Sequence, residues 1–219
     1  MILGAIFDLD GTLLNTVPAL QKSMNLTLKE FGLPEITEEE VKRFVGNGSR
    51  NYAIRSLHRF GKDDPHLIEA VYRRYLEIFD LNSTSGIHPY DGMPEAVESL
   101  KSRGIHLAVL SNKPQKQTED NIFACYGDRL FETVRGEMPG IPLKPDPASL
   151  NRLLSDLGLL PEECLYFGDT GTDMETGTTA GLHTIGVLWG FRGREELEAW
   201  KPAMIIEDPS EIAGIPGKF

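Results

Sequence analysis

The run Ile2-Leu3-Gly4-Ala5-Ile6-Phe7 is followed at once by Asp8-Leu9-Asp10-Gly11-Thr12. A short apolar segment punctuated by Gly reads as a strand buried on both faces, the kind found in parallel sheets. The two carboxylates then fall at the strand's carboxyl end, where open α/β sheets bind ligands. Two Asp side chains brought together there repel, which raises the pKa of one unless a cation neutralises the pair. A hard metal ion between them, with one Asp acting as a nucleophile, satisfies that chemistry. Taken alone, an Asp at this place is more readily an ordinary strand-end or turn residue.

The remainder of the chain divides into two patterns. Residues 16–80 carry helical spacing, as in Leu20, Met24 and Leu28 or Ile68, Val71, Tyr75 and Phe79. Thr37 followed by three Glu marks a helix start, with acids placed against the positive end of the dipole. After the turn-rich Gly86–Gly92, apolar runs and amphipathic segments alternate. Strands are expected at Ile105–Leu110, Thr133–Arg135, Cys164–Phe167, His183–Leu188 and Met204–Ile206. Helices are expected at Met93–Arg103, Gln117–Tyr126, Ala148–Leu157 and Met174–Ala180. Such alternation implies right-handed crossovers and a parallel sheet covered on both faces.

Composition limits the partners. The 219 residues carry a net charge of -11, which argues against duplex nucleic acid or an anionic membrane surface. It leaves room for a small phosphorylated ligand, since local charge at a site can outweigh the global sign. The two cysteines lie far apart without metal-ligand spacing, as expected of buried thiols in a reducing compartment. No apolar run reaches membrane-spanning length and the N-terminal run lacks the basic start of a signal peptide, so a cytoplasmic protein is expected.

Four blocks resemble, in order, the motifs of the haloacid dehalogenase-like phosphatases. They are Asp8-x-Asp10-Gly11-Thr12, Val109-Leu110-Ser111-Asn112-Lys113-Pro114, Leu143-Lys144-Pro145-Asp146-Pro147 and Tyr166-Phe167-Gly168-Asp169-Thr170-Gly171-Thr172-Asp173. Val45-Gly46-Asn47-Gly48, Ser111–Pro114 and Trp189-Gly190 are similar to the phosphoglycolate phosphatase-like branch. Asn15 stands where the family commonly has Asp. The resemblance implies an α/β fold, with a Rossmann-like parallel sheet core and an inserted helical cap domain. Residues 1–15 and 86–219 form the core and 16–85 the cap, with hinges near Leu13–Thr16 and Thr84–Pro89.

The resemblance also implies a Mg2+-dependent phosphomonoesterase acting on a small phosphorylated metabolite, with phosphoglycolate the leading candidate. Asp8 is the nucleophile that becomes an aspartyl-phosphate. Asp10 is the general acid/base, its backbone carbonyl assigned to the metal. Asp8 and Asp169 complete the metal shell, and Asp173 lies four residues on, suited to an outer contact. Ser111 and Lys144 are catalytic and bind the phosphoryl group, the lysine by offsetting its charge. Gly11, Thr12 and Asn112 are further candidates for phosphate contacts, and Asn47 for contact from the cap. Arg50, Lys42 and Arg43 are weaker cap candidates. Lys113 extends the second block without a role that the sequence defines.

Two alternatives use the same blocks. One is a phosphomutase of the β-phosphoglucomutase type, which protects its aspartyl-phosphate from water. The other is a non-catalytic binding protein on the same fold. Against the second stands the presence of Asp8, Asp10, Ser111, Lys144 and Asp169 together.

Overall fold

The computed structural model describes residues 1–219. Strand β1 (Gly4–Phe7) leads into the two-residue β2 (Leu14–Asn15) and four helices: α1 (Val17–Glu30), α2 (Glu38–Phe44), α3 (Ser49–His58) and α4 (Pro65–Asn82). The short β3 (His88–Pro89) pairs antiparallel with β2. Alternation follows with α5 (Met93–Ser102), β4 (His106–Pro114), α6 (Gln115–Tyr126), β5 (Thr133–Glu137), α7 (Ala148–Leu157) and β6 (Cys164–Gly168). The chain closes with α8 (Gly171–Thr179), β7 (His183–Val187), α9 (Arg194–Glu198), β8 (Met204–Ile206) and a 3-10 segment over Pro209–Lys218.

Six strands form one sheet in the order β5-β4-β1-β6-β7-β8, every pairing parallel. After β1 the chain builds outward through β4 and β5, then crosses back to β6 on the other side. The reversal leaves a crevice at the carboxyl ends of β1, β4 and β6, the place where doubly wound sheets bind ligands.

The strand period of two sorts the side chains. Ala5, Phe7, Leu107, Val109, Leu165 and Phe167 belong to the larger core on one face. Ile6, Ala108, Leu110, Cys164 and Tyr166 belong to a smaller core with Leu150, Leu153 and Leu154 of α7 on the other. The helices α1 to α4 bury a separate cluster that includes Leu20, Met24, Tyr52, Val71, Tyr75 and Phe79. Both connections to this helical block run through the β2–β3 ribbon or its immediate neighbours.

Three local departures from the sequence reading matter for the site. Strand β4 continues past Leu110 to Pro114, because a register shift lets Pro114 pair with Glu137 of β5. Ser111, Asn112 and Lys113 therefore lie buried in a strand rather than in a turn. Helix α8 starts at Gly171 instead of Met174, where Thr170 caps it through a reciprocal box with Asp173. The β2–β3 ribbon, α9 and the C-terminal 3-10 segment carry too few apolar residues to show in periodicity. Elsewhere the caps follow the sequence. Thr37 accepts from the Glu40 amide to start α2, and left-handed Gly158 ends α7.

Candidate active site

Asp8 follows Phe7 at the end of β1, and strand alternation sends it to the face shared by Ile6 and Tyr166. Lys144 meets it there. The Lys144 side chain is 3% exposed, and its ammonium donates to Asp8 Oδ1 at 2.8 Å and Asp173 Oδ1 at 2.7 Å. It also lies within bonding distance of the Leu110 carbonyl and the Tyr166 hydroxyl. Burial alone would lower the lysine's pKa. The charges of Asp173 and Asp8 outweigh it and hold the group well above the ordinary lysine value.

Asp169, at the end of β6, is fully buried. Its Oδ1 accepts from Thr12 Oγ1 at 3.1 Å and its Oδ2 from the Phe191 amide at 2.7 Å. Ligand oxygens of Asp8, Asp169 and Asp173 all lie within 4.8 Å of one another. Burial, then the Asp173 charge, pushes Asp8 up to about 7 against the pull of Lys144. Burial, then the charges of Asp173 and Asp8, raise Asp169 well above the usual carboxylate range. Three carboxylates against one ammonium is a net negative charge held out of water. An all-oxygen donor set of this kind fits a hard divalent cation, which would relieve both the repulsion and the burial penalty.

The Asp10 carboxylate is not one of the three. Its Oδ1 accepts from Thr16 Oγ1 at 2.6 Å and from the Lys113 ammonium at 2.5 Å. A cavity of about 40 Å³, room for a few water molecules, lies between Asp8, Asp10, Ser111, Asn112 and Lys113 and the helical block. The block supplies Leu20, Val45, Gly46, Gly48, Ser49, Tyr52, Tyr75 and Phe79. Ser111, near the carboxyl end of β4, lines this space, and its Oγ accepts from the Lys113 amide at 3.3 Å.

Several expected phosphate donors are placed otherwise. The Gly11 amide donates to the Leu14 carbonyl at 3.0 Å and the Thr12 amide to Leu9 at 3.3 Å, so the turn itself uses both. Gly11 has φ 87°, and a Cβ there would run into the Asp169 carboxylate. Its glycine is required by that close approach. Asn112 lines the cavity, but its amide donates to the Gly46 and Lys144 carbonyls at 3.0 and 2.9 Å while its oxygen accepts from the Lys144 amide. It staples the lysine loop to β4. Asn47 does not line the cavity. Arg55 holds its oxygen, and its amide donates to Thr172 Oγ1 at 3.0 Å across to α8. Lys42 pairs with Glu39, Arg43 with Glu40 and Arg50 with Glu69, all away from the cavity.

A family model described as haloacid dehalogenase-like hydrolase matches residues 5–187. The chain belongs to this family. A phosphoglycolate phosphatase from Pasteurella multocida is 33% identical over 214 residues, covering 95% of this chain and 96% of that one. Another from Aquifex aeolicus is 31% identical over 207 residues, covering 94% and 93%. The crystal structure of a predicted phosphoglycolate phosphatase from Haemophilus somnus superposes with a TM-score of 0.90 at 30% identity, covering 98% and 97%. Within the family the chain falls in the phosphoglycolate phosphatase-like branch, and it is a phosphatase.

In this haloacid dehalogenase-like hydrolase, the roles of four contributors escape sequence reasoning. Tyr166 bridges the lysine and Asp173 from within a strand, where it reads as core. The Phe191 amide reaches Asp169 from a loop, and a backbone donor leaves no side-chain signal. Arg192 ties the same loop to the helical block through carbonyls of Lys42, Arg43 and Val45. Lys113 was visible as part of a block, and only the fold shows what it touches. No helix of the structure is long and apolar enough to cross a membrane.

Proposed function

We propose that the chain hydrolyses a small phosphate monoester through a phospho-Asp8 intermediate, with a divalent cation such as Mg2+ as cofactor. Phosphoglycolate is the leading substrate, supported by the names of the relatives. One observation carries the reading: Asp8, paired with Lys144 and grouped with Asp169 and Asp173, lines the same cavity as Asp10, beneath the helical block.

Asp8 attacks phosphorus in line, forming an Asp8–phosphorus bond as the ester oxygen–phosphorus bond breaks. Asp10 gives its proton to the departing alkoxide. The Asp10 carboxylate then takes a proton from a water, which attacks the acyl phosphate and releases inorganic phosphate. Lys144 keeps Asp8 oriented and offsets charge on the phosphoryl oxygens, which the Ser111 hydroxyl also contacts. Asp8, Asp169, the Asp10 carbonyl and, from further out, Asp173 would hold the cation. When bound, it supplies positive charge to the nucleophile and the transferring group.

Residues 1–15 and 86–219 act as the catalytic core and 16–85 as a cap. Cap residues seal the cavity during reaction, and the β2–β3 ribbon carries the movement that admits substrate. The setting is cytoplasmic. The test is release of inorganic phosphate from phosphoglycolate, sugar phosphates and nucleoside monophosphates, with Mg2+ and then with chelator. Magnesium-dependent release with one preferred ester is expected. Turnover by Asp8→Asn at an undiminished rate would sink the mechanism.

A further inference from the structure

We propose that Lys113 is a positioning residue for Asp10, fixing which carboxylate oxygen carries the proton to the leaving group. The proposal rests on the reading of Asp10 as the proton donor. The Lys113 side chain is 2% exposed, and a buried charge is costly unless it is paired. Its carboxylate partner is Asp10 Oδ1 at 2.5 Å. A second bond runs to Asn121 Oδ1 at 2.9 Å, and the ammonium stands 5.4 Å from the centre of the Phe79 ring.

The arrangement ties Asp10 to both ends of the helical block. Thr16, just before α1, donates to the same Oδ1 at 2.6 Å. From the far side, Asn121 is fully buried and donates to the carbonyl of Ser83, the residue that ends α4, at 2.8 Å. Two donors on Oδ1 leave Oδ2 as the oxygen for proton transfer. They also keep the carboxylate from swinging to Lys144 or into the acidic triad. Efficient proton transfer needs the acid within hydrogen-bond reach of the departing oxygen, so a donor that fixes the rotamer acts on proton transfer by Asp10, first to the leaving group and later from the attacking water.

The experiment compares two esters. Phosphoglycolate has an alkoxide leaving group that needs a proton, whereas p-nitrophenyl phosphate leaves as a stable phenolate. The measured quantity is kcat/KM, which ends at departure of the leaving group and excludes hydrolysis of the phospho-enzyme. For Lys113→Met we expect a loss of about 100-fold on phosphoglycolate, the low end for general acid catalysis. The loss on the aryl ester should be far smaller. Lys113→Arg should recover part of the difference. Asn121→Ala, which keeps the ammonium but loosens it, should give a smaller loss with the same bias. That variant carries the comparison if Lys113→Met fails to fold in a thermal melt.

Asp10→Asn, run in parallel, must show the alkyl bias. If it lowers both esters equally, the reading of Asp10 falls, and the role of Lys113 with it. If Asp10→Asn is biased and Lys113→Met is not, Lys113 is a structural pair and the proposal alone is overturned. A Lys113→Met defect confined to KM, larger for phosphoglycolate than for glycerol phosphate, also overturns it, because the lysine then binds the substrate's carboxylate.

Discussion

Lys144 and Asp8 form a buried ion pair 2.8 Å long, although they lie 136 positions apart in the chain. The same ammonium reaches Asp173 at 2.7 Å, so one cation stands among three clustered carboxylates. Breaking one side of a buried pair leaves an uncompensated charge, which costs more than the pair itself contributes.

Lys144→Met is therefore expected to lower kcat/KM by about 10²–10³-fold, the scale of removing one preorganised charge from a reaction centre. It should also destabilise the fold by about 3–5 kcal/mol. Steady-state kinetics and urea unfolding of the same sample check both. A variant that keeps its stability while losing activity would assign the lysine to chemistry alone.

The triad predicts a link between metal and stability. A cation that binds the folded chain and not the unfolded one raises Tm, so Mg2+ is expected to raise it and chelator to reverse the gain. Asp169→Asn removes one of the three repelling carboxylates. That variant should match or exceed the wild-type Tm in chelator, yet gain nothing from Mg2+. Thermal melts in both buffers decide; an equal Mg2+ increment in the variant would remove Asp169 from the site.

Glu40 offers a pH test away from the chemistry. The Thr37 amide, then Arg59, holds its carboxyl below the usual glutamate range. A lowered folded value means that the stabilisation is present above the ordinary value of 4.5 and is lost as pH falls through the folded value. Glu40→Gln keeps the cap geometry but loses the charge. It should cost about 1 kcal/mol at neutral pH, with the difference from wild type closing as pH falls below 4.5 and through the lowered folded value. Urea midpoints across that range read the effect.

Arg192 bridges the loop after β7 to the carbonyls of Lys42, Arg43 and Val45 in the helical block. Bonds from a charged donor are each worth about 1.5–3 kcal/mol. Arg192→Ala should open the cavity and raise KM by about 10-fold, with a smaller change in kcat. An unchanged KM would show that Asn47–Thr172 and Asn112–Gly46 hold the block without it.

The chain's own order determined a good deal of this. The Gly-punctuated run before Asp8 reads as a buried strand, because a short run of consecutive apolar residues bounded by a turn signal suits a sheet covered on both faces. Alternating strand and helix periods dictate the parallel sheet, and Thr37, Gly158 and the apolar stripes of α1 and α4 mark their helices locally. The site's chemical groups were legible too, since Asp8, Asp10, Ser111, Lys144 and Asp169 each sit in a recognisable block. What those groups touch was decided by the tertiary structure. The period of two turns Asp8 toward Lys144, and the register shift in β4 extends the strand until Lys113 meets Asp10. The turn and loop amides of Gly11, Thr12 and Phe191 find partners that no side-chain pattern records. Local propensity acts over a few residues, whereas pairings across 103 or 136 positions exist only once the sheet has brought the strand ends together.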